Sequence, residues 1–329
     1  MKLLNNGSLV KEGYSFEEYE YHKSDIKGLK TRIKEWDYYH FINKDYGLCI
    51  TVDNNSYMDL VSVTFIDFSK NYFFKTKTYI NLLKGKIVLP SSSKEGDIHV
   101  SAKDFKIEII IKEDGNKYIE GSIKNFTKGK DFSFKLNVKG NTNNKIYMLT
   151  PFAKKRHFYY NLKENLLIAE GTIIYDDKII DFKAPGGLDW GRGVWTYKNT
   201  WYWSSLNGIK DDKLFGFNLG YGFGANKENE NIVYFDNEKY KLPEVEFIFQ
   251  VDKKGKNDYS KDVKIVSEDD SVNLTMTPIF NRKDYLNALI ISSDQNQVFG
   301  KFNGTIKVKD KTITFNDDVG FLEKVRNKW

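Results

Sequence analysis

Cysteine occurs once in the 329 residues, at Cys49, so no disulfide can form within the chain and nothing marks an oxidising compartment. Histidine occurs four times, with no HxH, HExxH or CxxC spacing, which argues against a zinc or iron site. There is no GxSxG, no kinase set and no Cys/His nucleophile arrangement, and no motif asks for a cofactor. The five prolines exclude collagen-like and Pro-rich low-complexity chains. No uncharged apolar run is long enough for a membrane helix. The opening MKLLNNGSLVKEG is broken by Gly and Lys before a signal-peptide core can build, so a cytoplasmic protein is expected. Arginine is confined to Arg32, Arg156, Arg192, Arg282 and Arg326, so the net charge of +6 is carried by lysine. Nucleic-acid binders draw on the bidentate guanidinium, and these lysines are scattered along the chain; nucleic acid is not an expected partner. Contact with a membrane surface is compatible with the lysines and aromatics but not required. Nothing in the sequence fixes the oligomeric state.

What is present is aromatic and alternating. The chain is 40% hydrophobic and 16% aromatic. In DFSFKLNVK, Phe132, Phe134, Leu136 and Val138 share one face against Ser133, Lys135 and Asn137; DFKIEIIIK repeats this with Phe105, Ile107 and Ile109. WDYYHFIN, YGLCITVD, MDLVSVTFIDF, NLLIAEGTIIY, KLFGFNLGYGFG, VEFIFQV, VNLTMTPIF, LNALIIS and TIKVKDKTITF are strands of the same kind. NKDYG, EDGN, KGNTNN, YDDK and VKDK supply hairpin connections. Helix is expected only in the tail GFLEKVRNKW and in FEEYEYHK near the start. The fold class is therefore all-β, two antiparallel barrels or sandwiches with a short C-terminal helix. KAPGG at 183–187 breaks the strand pattern and places the seam between domains 1–183 and 184–329.

The most distinctive stretch is GGLDWGRGVWTYKNTWYWSSLNG, Gly186–Gly208, which holds Trp190, Trp195, Trp201 and Trp203 around Asp189 and Arg192. On a regular strand Asp189, Gly191, Gly193, Trp195 and Tyr197 share one face, and Trp190, Arg192 and Val194 the other. An Asp189–Arg192 ion pair would then need a bulge; otherwise each charge has its own partner. The glycines leave a hollow beside Asp189, and a returning hairpin strand would bring Trp201 and Trp203 to it. The next strand offers Asn218 between Gly216 and Gly220. An unpaired buried Asp189 would hold its proton and act as a general acid.

LDWGRGVWTYKNTWYW, with FNLGYG, ENIVYFDNEKYKL and NQVFGKFNGTI, resembles an uncharacterised bacterial family, domain of unknown function 2804, over nearly the whole chain. That family is distantly similar to carotenoid 1,2-hydratase, tocopherol cyclase and AttH-like proteins. The resemblance implies two lipocalin-like β-barrel domains. It also implies an acidic residue in an aromatic-lined cavity, without assigning an activity.

The leading expectation is binding of an apolar or amphipathic, lipid- or isoprenoid-like molecule, with Trp190, Trp195, Tyr197, Trp201, Trp203, Asn218, Tyr160 and Glu230 as ligand contacts. The enzymatic alternative is a cofactor-free hydratase, isomerase or cyclase with Asp189, Arg192 and His157 as catalytic residues; indole faces would stabilise a carbocation. The third alternative is a structural or protein-interaction module, since tryptophan clusters commonly fill cores and Asp–Arg pairs tie strands. His40, on a face with Trp36 and Tyr38, reads as a core histidine.

Overall fold

Two consecutive residues in the left-handed region, Asp176 (φ 54°) and Asp177 (φ 59°), turn residues 158–194 back on themselves as one long hairpin. This is the YDDK turn, and its φ pair is the type I′ geometry that matches strand twist. The computed structural model describes the chain except residues 70–72, 83–84, 141–142, 225–227 and 289 and the side chain of 288. Part of the KGNTNN turn and of LNALIIS therefore lies outside the described residues.

The chain divides into two compact units, Met1–Trp195 and Thr196–Trp329. Each is a curled antiparallel half-barrel of lipocalin-like type. In the first, the strands are β1 (Leu4–Asn5), β2 (Ser8–Leu9), β3 (Gly13–Ser15), β4 (Ile33–Ile42), β5 (Tyr46–Asn54), β6 (Met58–Asp67) and β7 (Phe73–Leu82). They continue with β8 (Ile98–Ala102), β9 (Phe105–Ile111), β10 (Lys117–Thr127), β11 (Lys130–Lys139), β12 (Lys145–Pro151), β13 (Phe158–Tyr175) and β14 (Lys178–Val194). The sheet order is β7-β6-β5-β4-β14-β13-β11-β10-β9-β8, with β12 and β3 added beside the first half of β13. KAPGG lies inside β14, and the division of the chain falls at Trp195/Thr196.

The second unit holds β15 (Lys198–Lys210), β16 (Lys213–Tyr221), β17 (Ile232–Phe235), β18 (Glu238–Lys241) and β19 (Val245–Phe249). It ends with β20 (Val263–Ser267), β21 (Val272–Ala288), β22 (Ile291–Val308) and β23 (Lys311–Lys328), in the order β18-β17-β16-β15-β23-β22-β21-β20-β19. The expected C-terminal helix is not formed: GFLEKVRNK is the end of β23, paired to β22 and β15. Residues 320–325 are buried on both faces, so the apolar side chains that suggest a helical stripe serve a strand instead. FEEYEYHK is not helical either; near it only a 3-10 turn, Lys23–Asp25, is wound.

Each unit has its own core, and alternation builds both. Phe132, Phe134, Leu136 and Val138 sit in the first, as do Phe105, Ile107 and Ile109. Leu206, Phe217, Leu219, Val298, Phe302 and Leu322 sit in the second. The feature that matters for function is that β4, the first half of β13 and the second half of β14 are buried on both faces.

Candidate functional site

Strand β14 alternates as its sequence requires. Leu188, Trp190 and Val194 join the first core, together with Tyr39 and Phe41 of β4 and Phe158, Tyr160 and Leu162 of β13. Arg192 shares that face and is fully buried. Its Nη1 lies 2.9 Å from Asp37 Oδ1 and donates to the Trp36 and Gly191 carbonyls; Nε and Nη2 donate to the Pro90 carbonyl. The guanidinium carbon stands 4.1 Å over the Trp190 ring. Burial pushes the Asp37 carboxyl up and the guanidinium pulls it down, leaving it above the ordinary carboxylate range, the mark of a pair that is costly to bury. Tyr160 stacks on Tyr147, meets Trp190 edge-on, and bonds the Tyr19 backbone at both its N–H and its carbonyl.

The opposite face of the same strands carries a different set. Strand register places Asn161, Gly191, Trp36 and Asp53 in one transverse row across β13, β14, β4 and β5, and Lys163, Asp189, Tyr38 and Thr51 in the next. Asp189 Oδ2 is 3.2 Å from Lys163 Nζ, and Asn161 Nδ2 donates to Asp189 Oδ1 and to the Trp190 carbonyl. Asp189 and Arg192 thus have separate partners on opposite faces, without a bulge between them. Asp189 is ion-paired, so the condition for an unpaired proton-holding carboxyl is not met there.

That condition is met nearby. Asp53 is half-buried, its Oδ1 is shut off from solvent and has no hydrogen-bond partner among the described residues. Burial first, then Asp37 and Asp189, raise its pKa from the usual carboxylate range to about 8. His40 stacks on Tyr38 at 5.6 Å, and burial, helped by Lys163, lowers its pKa to about 3, so the imidazole is neutral at neutral pH.

The hollow expected beside Gly191 and Gly193 is filled. A Cβ on Gly191 would lie 2.3 Å from Trp36 ring atoms, and one on Gly193 would lie 2.3 Å from the Phe158 carbonyl. Trp36 stacks on Tyr159 at 5.6 Å and meets Trp195, which also packs on Phe152 and Tyr159. Gly191 makes room for the Trp36 indole and Gly193 for the Phe158 carbonyl. Gly191→Ala is therefore expected to destabilise by about 1–3 kcal/mol through overpacking, read as a lowered thermal midpoint with a shifted tryptophan emission.

The expected hairpin between LDWGRGVW and TWYWSS does not form. Strand β14 is flanked by β13 and β4, and β15 by β16 and β23, so both edges of each are occupied within separate sheets. Trp203, Asn218 and Glu230 are brought together in the second unit. Trp203 Nε1 donates to Asn218 Oδ1 at 2.7 Å, Asn218 Nδ2 donates to the Glu230 carbonyl at 3.1 Å, and the buried Glu230 carboxyl lies against Gly220. Trp201 Nε1 donates to Glu323, and the indole stacks on Phe223. Tyr197 is partly exposed and donates to the Ile290 carbonyl. His157 closes the 152–157 turn, with Nδ1 3.0 Å from the Lys155 carbonyl.

Sequence reasoning passed over Asp53, Lys163, Asn161 and Asp37. Period-2 counting from Trp36 and Asp189 does find Asn161, Lys163 and Asp53, once β5, β4, β14 and β13 are recognised as neighbours. The β13–β14 and β4–β5 pairings are hairpins signalled by YDDK and NKDYG, but the β4–β14 adjacency that joins them is long-range and has no local signal.

No curated protein matches the chain. Among solved structures, the AttH candidate of Nitrosomonas europaea is similar with a TM-score of 0.53 and 12% identity, over 89% of this chain and 92% of that one. Kievitone hydratase from Nectria haematococca is similar with a TM-score of 0.50 and 12% identity, over 90% of this chain and 88% of that one. At this identity the likeness is one of fold. The model of the domain of unknown function DUF2804 matches residues 1–329, and the chain belongs to that family.

Proposed function

We propose that the chain binds an amphipathic small molecule on the aromatic and polar face of its N-terminal unit. The observation that carries this is the pair of transverse rows. Asn161, Lys163, Asp189, Tyr38 and Asp53 stand beside Trp36 on a face separate from the apolar core. A buried polar atom without a partner is costly and calls for one. Here Asn161 Oδ1 and Asp53 Oδ1 have no hydrogen-bond partner among the described residues. Two acceptor positions on one row, with Trp36 between them, suit a ligand with an apolar body and a hydroxyl group that can donate.

A second reading, proton-transfer catalysis, is favoured by the two carboxyl groups. Asp53 keeps its proton near neutrality, whereas Asp189 faces an ammonium group. A carboxyl that keeps its proton and an ion-paired carboxylate on one face supply candidates for an acid and a base. In a hydration, Asp53 would give its proton to one carbon of a C=C bond. A water would add its oxygen to the other carbon and pass a proton to Asp189; solvent then returns a proton to Asp53 and takes one from Asp189. The fold shared with kievitone hydratase supports this reading, which assigns the acid role to Asp53 and the base role to Asp189.

The test is calorimetry and tryptophan fluorescence with geraniol. Binding is expected to weaken at least tenfold in Lys163→Met and Asp189→Asn proteins that keep the wild-type circular dichroism spectrum. Unchanged affinity in both variants, or no response of the native protein, overturns the proposal.

A further inference from the structure

The face that carries Asp53 does not end there. Register continues the Asn161–Gly191–Trp36–Asp53 row onto Leu60 of β6 and Ile80 of β7, and β6 pairs Met58 with Leu82 on the same face. Burial falls steadily along this direction. Asn161 is fully buried, Asp53 and Leu60 are half-buried, and Ile80 and Leu82 are 47% and 67% exposed.

Chemistry changes with burial in an unusual sense. Strand β7 is a sheet edge, where lysines and other charges commonly blunt the surface. Both of its lysines, Lys75 and Lys77, alternate onto the other face, as do Asp59 and Asp67 of β6. No residue that β6 and β7 place on the Asp53 face is charged, in a chain that is 29% charged. The Asp53 row therefore runs from buried and polar to exposed and apolar, the reverse of an ordinary surface strand, while Ser62, Thr64, Thr76 and Thr78 continue the same face as uncharged polar groups. Two strand spacings, about 10 Å, separate Asp53 from Ile80.

We infer that the strip formed by Met58, Leu60, Ile80 and Leu82 holds the hydrocarbon tail of the ligand whose polar end meets Asp53 and the Asp189–Lys163 pair. The inference rests on the binding reading above and names the ligand class within it: a long-chain amphipath entering from the β7 edge, polar group first. The gradient gives the orientation. A polar group leaves water for hydrogen-bonding partners, and the tail covers exposed aliphatic surface.

The test uses prenol, geraniol and farnesol, which share a head group and differ by one isoprene unit each. Affinity for the native protein is expected to rise at least about tenfold per added unit. In Ile80→Lys, a substitution at an exposed edge position, prenol is expected to bind as in the native protein while the gain with length disappears. Binding that depends on Lys163 but not on tail length, or a gain with length unaffected by Ile80→Lys, overturns the tail assignment and leaves the polar site standing. Failure of every alcohol to bind overturns both. If sedimentation shows that Ile80→Lys separates a dimer without changing the gain with length, the strip belongs to a second copy of the chain and the tail assignment is wrong.

Discussion

Arg192→Met is expected to lower the stability of the N-terminal unit by about 3–5 kcal/mol. Five donor contacts fix the guanidinium to Asp37 and to the carbonyls of Trp36, Gly191 and Pro90, and none of the side chain reaches solvent. Methionine fills much of the volume but leaves Asp37 buried with no cation, and leaves the Trp36, Gly191 and Pro90 carbonyls without their donor. The loss is therefore set by what remains unpaired, more than by the net worth of the pair. Urea unfolding followed by circular dichroism and tryptophan emission measures it. Adding Asp37→Leu should recover more than half of the loss, because a buried ion pair and an apolar pair are close in free energy. A loss below about 1 kcal/mol in the single variant would show that Arg192 is not a tie between strands, and would return it to consideration as a group that meets ligand.

The same residue shows what the sequence reveals and where it stops. Alternation alone puts Arg192 and Asp189 on opposite faces, and the structure keeps them there with separate partners. Alternation also finds nearly every strand, because one face of each packs on an apolar core and the other carries polar side chains. It fails in the C-terminal tail, where both faces are buried. The 320–325 segment of β23 has no polar side to count against, so Phe321, Leu322 and Val325 read as a helical stripe. The glycines of LDWGRGV signal close approach correctly, but a sequence cannot say whether a ligand or Trp36 makes the approach. The hairpin expected between Trp195 and Trp201 fails for a related reason: adjacency in sequence suggests pairing, while β4 and β13 already occupy the edges of β14. Asp53 looks like the polar end of a half-exposed strand. Its importance comes first from burial and then from Asp37 and Asp189, all of which arise only in the fold.

Asp53→Asn should therefore change stability and chemistry in opposite directions. The folded carboxyl titrates near pH 8, raised by burial, Asp37 and Asp189, whereas an unfolded aspartate titrates near 3.9. Between these values the folded chain holds a proton that the unfolded chain has released. Stability must then fall as pH rises from about 4 to about 8, and the penalty is complete above that window. Solvent reaching the half-buried side chain trims the penalty to a few kcal/mol. Asparagine carries no such linkage. Denaturant midpoints of the native protein are expected to decline across this window, those of the variant to stay nearly level, and the variant to be the more stable at pH 8. If proton transfer is the activity, the same substitution abolishes turnover while leaving a bound alcohol in place, since asparagine keeps the size and loses the acid. A variant that is less stable at every pH would mean that Asp53 is an ionised structural partner. A carboxyl kept at a cost to the fold is the kind of group selected for what it does to a ligand.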